Sequence, residues 1–187
     1  MRLLIYGARD YADTVADLAA DCGHEVVGRV DDNGSAEGVL GRFVDVVPRW
    51  PDCGVVLGIG YRDLAARWAA WQRVRSSGRS SPALIHPRAY VARTAKVADG
   101  CVVMAGALVD RQARLDEVSV LWPGACINHG CVVGANSFVS PNATLCGHVQ
   151  LGAHCFVGAG AAIADHCRVP DGTRIRMLER YALNRQP

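Results

Sequence analysis

Every sixth residue from Ile85 to Ile175 is isoleucine, leucine or valine: the series runs through Val91, Val97, Val103, Val109, Leu115, Leu121, Ile127, Val133, Val139, Leu145, Leu151, Val157, Ile163 and Val169. An α-helix would recur at about 3.6 residues and a half-buried strand at 2, so neither explains this spacing. The frame one residue later, which includes Met104, Asp110, Trp122, Asn128, Gly134, Ser140 and Arg176, holds no isoleucine, leucine or valine and serves as an internal control. Four residues after each aliphatic position the side chain is almost always small, as at Ala107, Ala113, Ser119, Ala125, Cys131, Ser137, Ala143 and Cys155.

A period of six has one physical reading. Each hexapeptide forms one side of a triangular prism, three hexapeptides close a coil, and residues eighteen apart stack at the strand spacing of ~4.8 Å. The repeat predicts a left-handed parallel β-helix over residues 84–176, with the aliphatic position filling the prism and the small position turned inward near a corner. Cys101, Cys131, Cys155 and Cys167 then act as compact hydrophobes. A solenoid needs its ends covered. Met177, Leu178, Tyr181 and Ala182 follow helical spacing, which predicts a short capping helix from Met177 to Leu183, with residues 177–187 as cap and tail.

Before residue 84 the rhythm changes. Leu3 to Tyr6 reads as a buried strand, Gly7 as a tight turn, Tyr11 to Asp21 as a helix, Glu25 to Val30 as a second strand, Gly54 to Ile59 as a third and Arg62 to Arg75 as a helix. This is a small parallel α/β unit over residues 1–83, a Rossmann-like half domain. Ligands on such sheets sit beyond the carboxyl ends of the strands, which points to Gly7 and to Asp31, Asp32 and Asn33. The alternative is that the two aspartates only end a strand and turn the chain. Gly7-Ala8-Arg9-Asp10-Tyr11-Ala12 departs from GxGxxG, and the unit is half a dinucleotide fold, so a dehydrogenase is disfavoured.

Composition narrows the classes further. With 187 residues, half of them apolar, and a net charge of +2, the chain has the means for substantial cores and carries no generic basic field for nucleic acid. No apolar run approaches the ~20 residues of a membrane span, and Met1 to Ala8 lacks the features of a signal peptide. The eight cysteines show no zinc-type pair spacing, so reduced thiols and a cytoplasmic location are expected.

Within the repeat, Ile127-Asn128-His129-Gly130-Cys131 sets a histidine at an outward corner. One coil below lies Arg111; one coil above lies Gly147, whose missing side chain leaves a groove over the imidazole, with a backbone N–H for a developing oxyanion. A neutral imidazole there can accept a proton from an attacking amine or hydroxyl near pH 7. Spacing alone leaves open whether His129 is such a base or a solvated corner residue.

The aliphatic and small hexads, the preceding α/β unit, the linker Leu84-Ile85-His86-Pro87-Arg88-Ala89 and Leu121-Trp122-Pro123-Gly124 leading into Ile127-Asn128-His129 together resemble the bacterial sugar acyltransferases, the sialic-acid O-acetyltransferase family that includes N-acetyltransferases of nucleotide-linked 4-amino-sugars. The resemblance implies a homotrimer that binds acetyl-CoA between adjacent β-helices and acylates an amino or hydroxyl group of a small acceptor. It implies His129 as base, CoA contacts at Gly147 and Ala159, nucleotide contacts at Gly7, Asp10, Tyr11, Asp31 and Asp32, and no metal. Related enzymes often carry an acidic residue or a second histidine directly after the base; Gly130 stands there in this chain, which leaves Asn128 and Asp110 as candidates to orient the imidazole. Phe138 and Tyr11 also replace histidines common in the family. Arg174, Arg176 and Arg180 are either solvated charges or partners for CoA phosphates. Two other readings use the same prism: a trimeric carbonic anhydrase with zinc on three histidines, for which His148 and His166 stack on one corner, His154 lies on another face and His129 is a separate corner residue, and a non-catalytic nucleotide-binding scaffold.

Overall fold

The computed structural model describes residues 1–34 and 38–182. The chain forms two compact units, which divide between Leu84 and Ile85.

The first unit is built on strands β1 (Arg2–Tyr6), β2 (Glu25–Val30) and β3 (Gly54–Leu57), all parallel, in the order β2-β1-β3. Central β1 carries Leu3, Leu4 and Ile5, each with 0% exposure, as expected for a parallel strand covered on both faces. Helix α1 (Asp10–Asp21) buries Ala12, Val15, Leu18 and Ala19 along one stripe. A short helix α2 (Phe43–Val46) and a longer α3 (Leu64–Ser76) complete the unit; α3 opens where Asp63 accepts the Ala66 N–H at 2.8 Å. Gly7 ends β1 with φ +135°, and a Cβ there would stand 2.5 Å from the Gly58 carbonyl oxygen, so both the conformation and the close approach demand glycine.

The second unit is a three-sided parallel β-helix whose faces, among the described residues, are two six-stranded sheets and one five-stranded sheet. Each strand is two residues long and pairs with its equivalent eighteen positions on, so Ile127 lies over Val109 and under Leu145. The aliphatic residues Val109, Leu115, Leu121, Ile127, Val133, Val139, Leu145 and Val157 are fully buried, and Cys101, Cys131 and Cys155 lie inside with them as free thiols. This is the interior that the six-residue rhythm predicts.

A third frame, three residues after each aliphatic position, controls the corners. Gly100, Gly106, Gln112, Val118, Gly124, Gly130, Asn136, Asn142, His148, His154, Gly160, His166, Gly172 and Leu178 all have φ between 50 and 72°. Glycine, asparagine and histidine dominate because they enter the left-handed region at least cost; Val118, β-branched and fully buried, is the costly exception. Periodic glycine, asparagine and histidine in that frame is therefore a corner signal that the aliphatic count alone overlooks.

The expected capping helix is absent from the described residues. Met177 and Leu178 form one more corner, with the Leu178 N–H donating to the Ala159 carbonyl at 2.9 Å, and Arg180–Tyr181 pairs with Ala162–Ile163 as another rung. Tyr181 continues the six-residue series after Ile175. Adding a rung to an existing sheet satisfies backbone groups at once, whereas a helix this short has an unfavourable nucleus. Leu183 and the rest of the expected tail lie outside the described residues. No helix among them is long and apolar enough to cross a membrane.

Leu145 stands at mid-column with 0% exposure. Leu145→Ala is expected to destabilise the protein by ~2–5 kcal/mol, the ordinary cost of an unfilled leucine cavity, and urea unfolding followed by circular dichroism measures it.

Candidate active site at a corner of the β-helix

His129 projects from the corner between the rung of Cys126–Ile127 and that of Val132–Val133, where its side chain is 43% exposed. Its Nδ1 stands 3.8 Å from Asp110 Oδ2. That gap exceeds a hydrogen bond and suits an ion pair when the ring is protonated. Asp110 is itself held: its Oδ1 accepts the Arg111 N–H at 2.6 Å, and its own N–H donates to the Ile127 carbonyl at 2.9 Å. The carboxylate thus faces Nδ1, and Nε2 lies on the side of the coil above.

There the ring meets Gly147. A Cβ at that position would lie 2.7 Å from His129 Nε2 and 2.9 Å from Cε1. No left-handed dihedral calls for glycine at 147, so the requirement is steric: the imidazole occupies the space a side chain would take. The vertical stacking of Gly147 on His129, expected from eighteen-residue spacing, is present at atomic contact.

The two candidates for orienting the ring separate cleanly. Asn128 donates through Nδ2 to the Leu145 carbonyl at 2.8 Å, sealing a rung, and is engaged away from the imidazole. Asp110 is the acid beside the ring. Ala159 sits at a different corner, between Phe156–Val157 and Ala162–Ile163, so one column does not bring it to His129.

The histidines are arranged differently from the sequence expectation, which set His129 apart from the column of His148 and His166. The His148 ring lies 5.1 Å from that of His129, edge to face at 86°, and stacks on His166 at 4.9 Å and 13°. All three share one corner because the left-handed residue of each turn immediately follows the position that His129 occupies. His154, at another corner, pairs its Nδ1 with Asn136 Nδ2 at 2.9 Å. Among the described residues no group of three or more histidine, cysteine, aspartate or glutamate side chains is arranged to hold a metal ion.

Thiols near the corner are poor nucleophiles. Burial pushes Cys126 and Cys146 above the usual thiol range and Cys131 up to about 11, so these sulfurs stay protonated at neutral pH.

In the α/β unit, Gly7 lies at the end of β1 and exposed Asp10 starts α1. Tyr11 turns its hydroxyl inward beside the buried Arg67, and desolvation raises its pKa. Asp31 Oδ1 accepts the Asn33 N–H at 2.8 Å, an Asx-type turn. Asp32 is fully engaged: Oδ1 accepts the Phe43 N–H at 2.9 Å, and Oδ2 accepts from both the Tyr6 hydroxyl and Arg73, which also donates to the Tyr6 oxygen at 2.8 Å. Tyr6 stacks on Phe43 at 4.8 Å. Tyr6 and Arg73 escaped the sequence reading, since one lies in an ordinary buried strand and the other on a helix 41 residues beyond Asp32.

Residues 2–72 match the PglD N-terminal domain, and residues 130–165 match the bacterial transferase hexapeptide repeat. A search of curated proteins finds no match. Among solved structures, the acetyltransferase domain of PglB from Neisseria gonorrhoeae FA1090 aligns with a TM-score of 0.86 at 24% identity, covering 96% of this chain and 90% of that one. The same domain in complex with acetyl coenzyme A gives 0.85 at 25% identity, over 97% and 93% of the two chains. PerB from Caulobacter crescentus, in complex with CoA and GDP-perosamine, gives 0.75 at 26% identity, over 93% of each.

Burial, then the hydrogen bond to Asp32, raises the Tyr6 hydroxyl from 10.0 to about 12. Folding thus favours its neutral form, and the stability it contributes is whole below pH 10 and lost as pH rises through about 12. Asp32→Asn is expected to lower the Tyr6 titration below about 12 while burial keeps it above 10.0, read from tyrosinate absorbance against pH with Tyr6→Phe as the baseline.

Proposed function

We propose that the chain is a bacterial sugar acyltransferase of the hexapeptide-repeat type that transfers the acetyl group of acetyl-CoA to an amino group of a nucleotide-linked sugar, with His129 as general base. The observation that carries the base assignment is the corner placement of a half-exposed His129, with Asp110 facing Nδ1 at 3.8 Å and Nε2 turned to the side-chain-free Gly147.

The chemistry follows from that geometry. An amine attacks the thioester carbonyl only through its lone pair, and the new C–N bond leaves a surplus proton on nitrogen. Nε2 takes that proton as the C–S bond breaks, and the proton passes on to the departing CoA sulfur, so charge and atoms balance. Asp110, facing Nδ1 at 3.8 Å, stabilises the ring while it carries the positive charge. A backbone N–H at the same corner serves the carbonyl oxygen as it gains charge.

An amine acceptor on a nucleotide is supported by the α/β unit, which matches the PglD N-terminal domain, and by the GDP-perosamine bound in PerB. Within that unit Gly7, Asp10 and Asp31 border the strand ends where a nucleotide would lie, the Tyr11 hydroxyl turns inward behind them, and Asp32 is engaged by Phe43, Tyr6 and Arg73. A homotrimer fits the separation of Gly147 from Ala159: they occupy different corners of one column, so a CoA molecule touching both needs a second copy alongside. Closed cyclic symmetry gives each groove the same two walls.

Turnover of acetyl-CoA with UDP-, dTDP- and GDP-linked 4-amino-sugars, followed by thiol release, tests this reading. His129→Ala is expected to lower kcat at least ~100-fold with the fold intact, and Gly147→Ala, which drives a methyl group against Nε2, is expected to act in the same direction. Full activity in His129→Ala would remove the base assignment; no transfer to any acceptor from any acyl-CoA would favour the nucleotide-binding scaffold.

A further inference from the structure

We propose that His148 is a positioning residue for His129, supplied by the coil above and seated in the space left by Gly130. The proposal rests on the base assignment made above and adds a residue to it.

Three observations support it. First, the His148 ring lies edge to face with that of His129, with centroids 5.1 Å apart and planes at 86°. Second, a Cβ at Gly130 would stand 2.5 Å from His148 Nδ1 and 2.7 Å from Cε1, so the ring folds down over that glycine to the level of the base. Third, His148 is backed on its other side by His166, stacked at 4.9 Å. The imidazole of His129 is thereby bounded on three sides: Asp110 at Nδ1, Gly147 at Nε2, and His148 against the ring.

His148 has a plain structural reason to exist, since it is one of the left-handed corner residues, with φ 59°, and His154 and His166 share that conformation. That reason accounts for the backbone alone. Asparagine meets the same demand at Asn136 and Asn142, so the left-handed turn does not require a ring. The ring matters for its flank contact with the base. Aromatic pairs in this geometry bias a half-exposed imidazole toward one orientation by about 3- to 10-fold, too little to decide folding.

The two roles of His148 come apart in two variants. His148→Asn keeps a residue suited to the left-handed turn and removes the ring, while His148→Phe keeps a planar ring with no titrating nitrogen. Both are assayed beside His129→Ala, with acetyl-CoA and the nucleotide amino-sugar that wild type turns over fastest among UDP, dTDP and GDP derivatives. The expected result is a fall in kcat of about 3- to 10-fold for His148→Asn. Its KM for both substrates and its melting temperature stay near wild type, and most of the loss is recovered in His148→Phe. Wild-type kcat in His148→Asn overturns the proposal and leaves the base assignment standing if His129→Ala is inactive. A loss that appears in KM or melting temperature, or that phenylalanine does not recover, makes His148 a structural or substrate-binding residue and also overturns it. Full activity in His129→Ala, or no turnover by wild type, removes the base assignment and this inference together.

Discussion

Backbone hydrogen bonds between residues one coil apart hold the β-helix in register, and every feature of the candidate site inherits its place from that register. The Asn128 N–H donates to the Leu145 carbonyl at 3.0 Å and the His148 N–H to the His129 carbonyl at 2.9 Å. Aliphatic side chains fill the interior behind these bonds, and a slip by one residue would turn the entire series of Ile127 and Leu145 outward. With the register held by burial, Gly147 must stand over His129 and Asp110 must lie at the rung below. The geometry at this corner is a by-product of packing that would be needed in any case.

The corners show how a repetitive frame accommodates individual chemistry. A turn glycine leaves room into which a side chain from a neighbouring coil can fold. Gly130 receives the His148 ring, Gly124 lies under the Asn142 amide, Gly160 receives Leu178, and Gly147 receives His129 from below. At 124, 130 and 160 the glycine also answers a positive φ, so two demands coincide; at 147 the steric demand acts alone. The exchange of space between coils at Gly130 and Gly147 is what brings two imidazoles from adjacent coils side by side.

The α/β unit uses polar bonds where the column uses apolar stacking. Asp32 joins the end of β1 through Tyr6, the start of α2 through Phe43 and helix α3 through Arg73, so one carboxylate ties together segments far apart in the chain. A carboxylate satisfied by three donors has little capacity left for a ligand. Asp31, next in line, bonds only locally to Asn33, and its position at the end of β2 keeps it near the strand termini where ligands of such sheets collect.

The six-residue rhythm by itself determined the β-helix, its inward thiols, the placement of His129 at a corner and the stacking of Gly147 upon it, because periodic burial leaves a single consistent winding. The alternation of strands and helices before it determined the parallel α/β unit in the same way. Contacts that depend on where a side chain folds within its corner were invisible to spacing. The partnership of His129 with Asp110 instead of Asn128, the approach of His148 over Gly130, and the capture of Asp32 by Tyr6 and Arg73 were decided only by tertiary structure. So was the continuation of the rungs through Arg180 and Tyr181, where the helical spacing of a few apolar residues was outweighed by hydrogen bonds to a coil already formed. Local periodicity reports which face a residue occupies; rotamers and neighbouring coils decide what it touches.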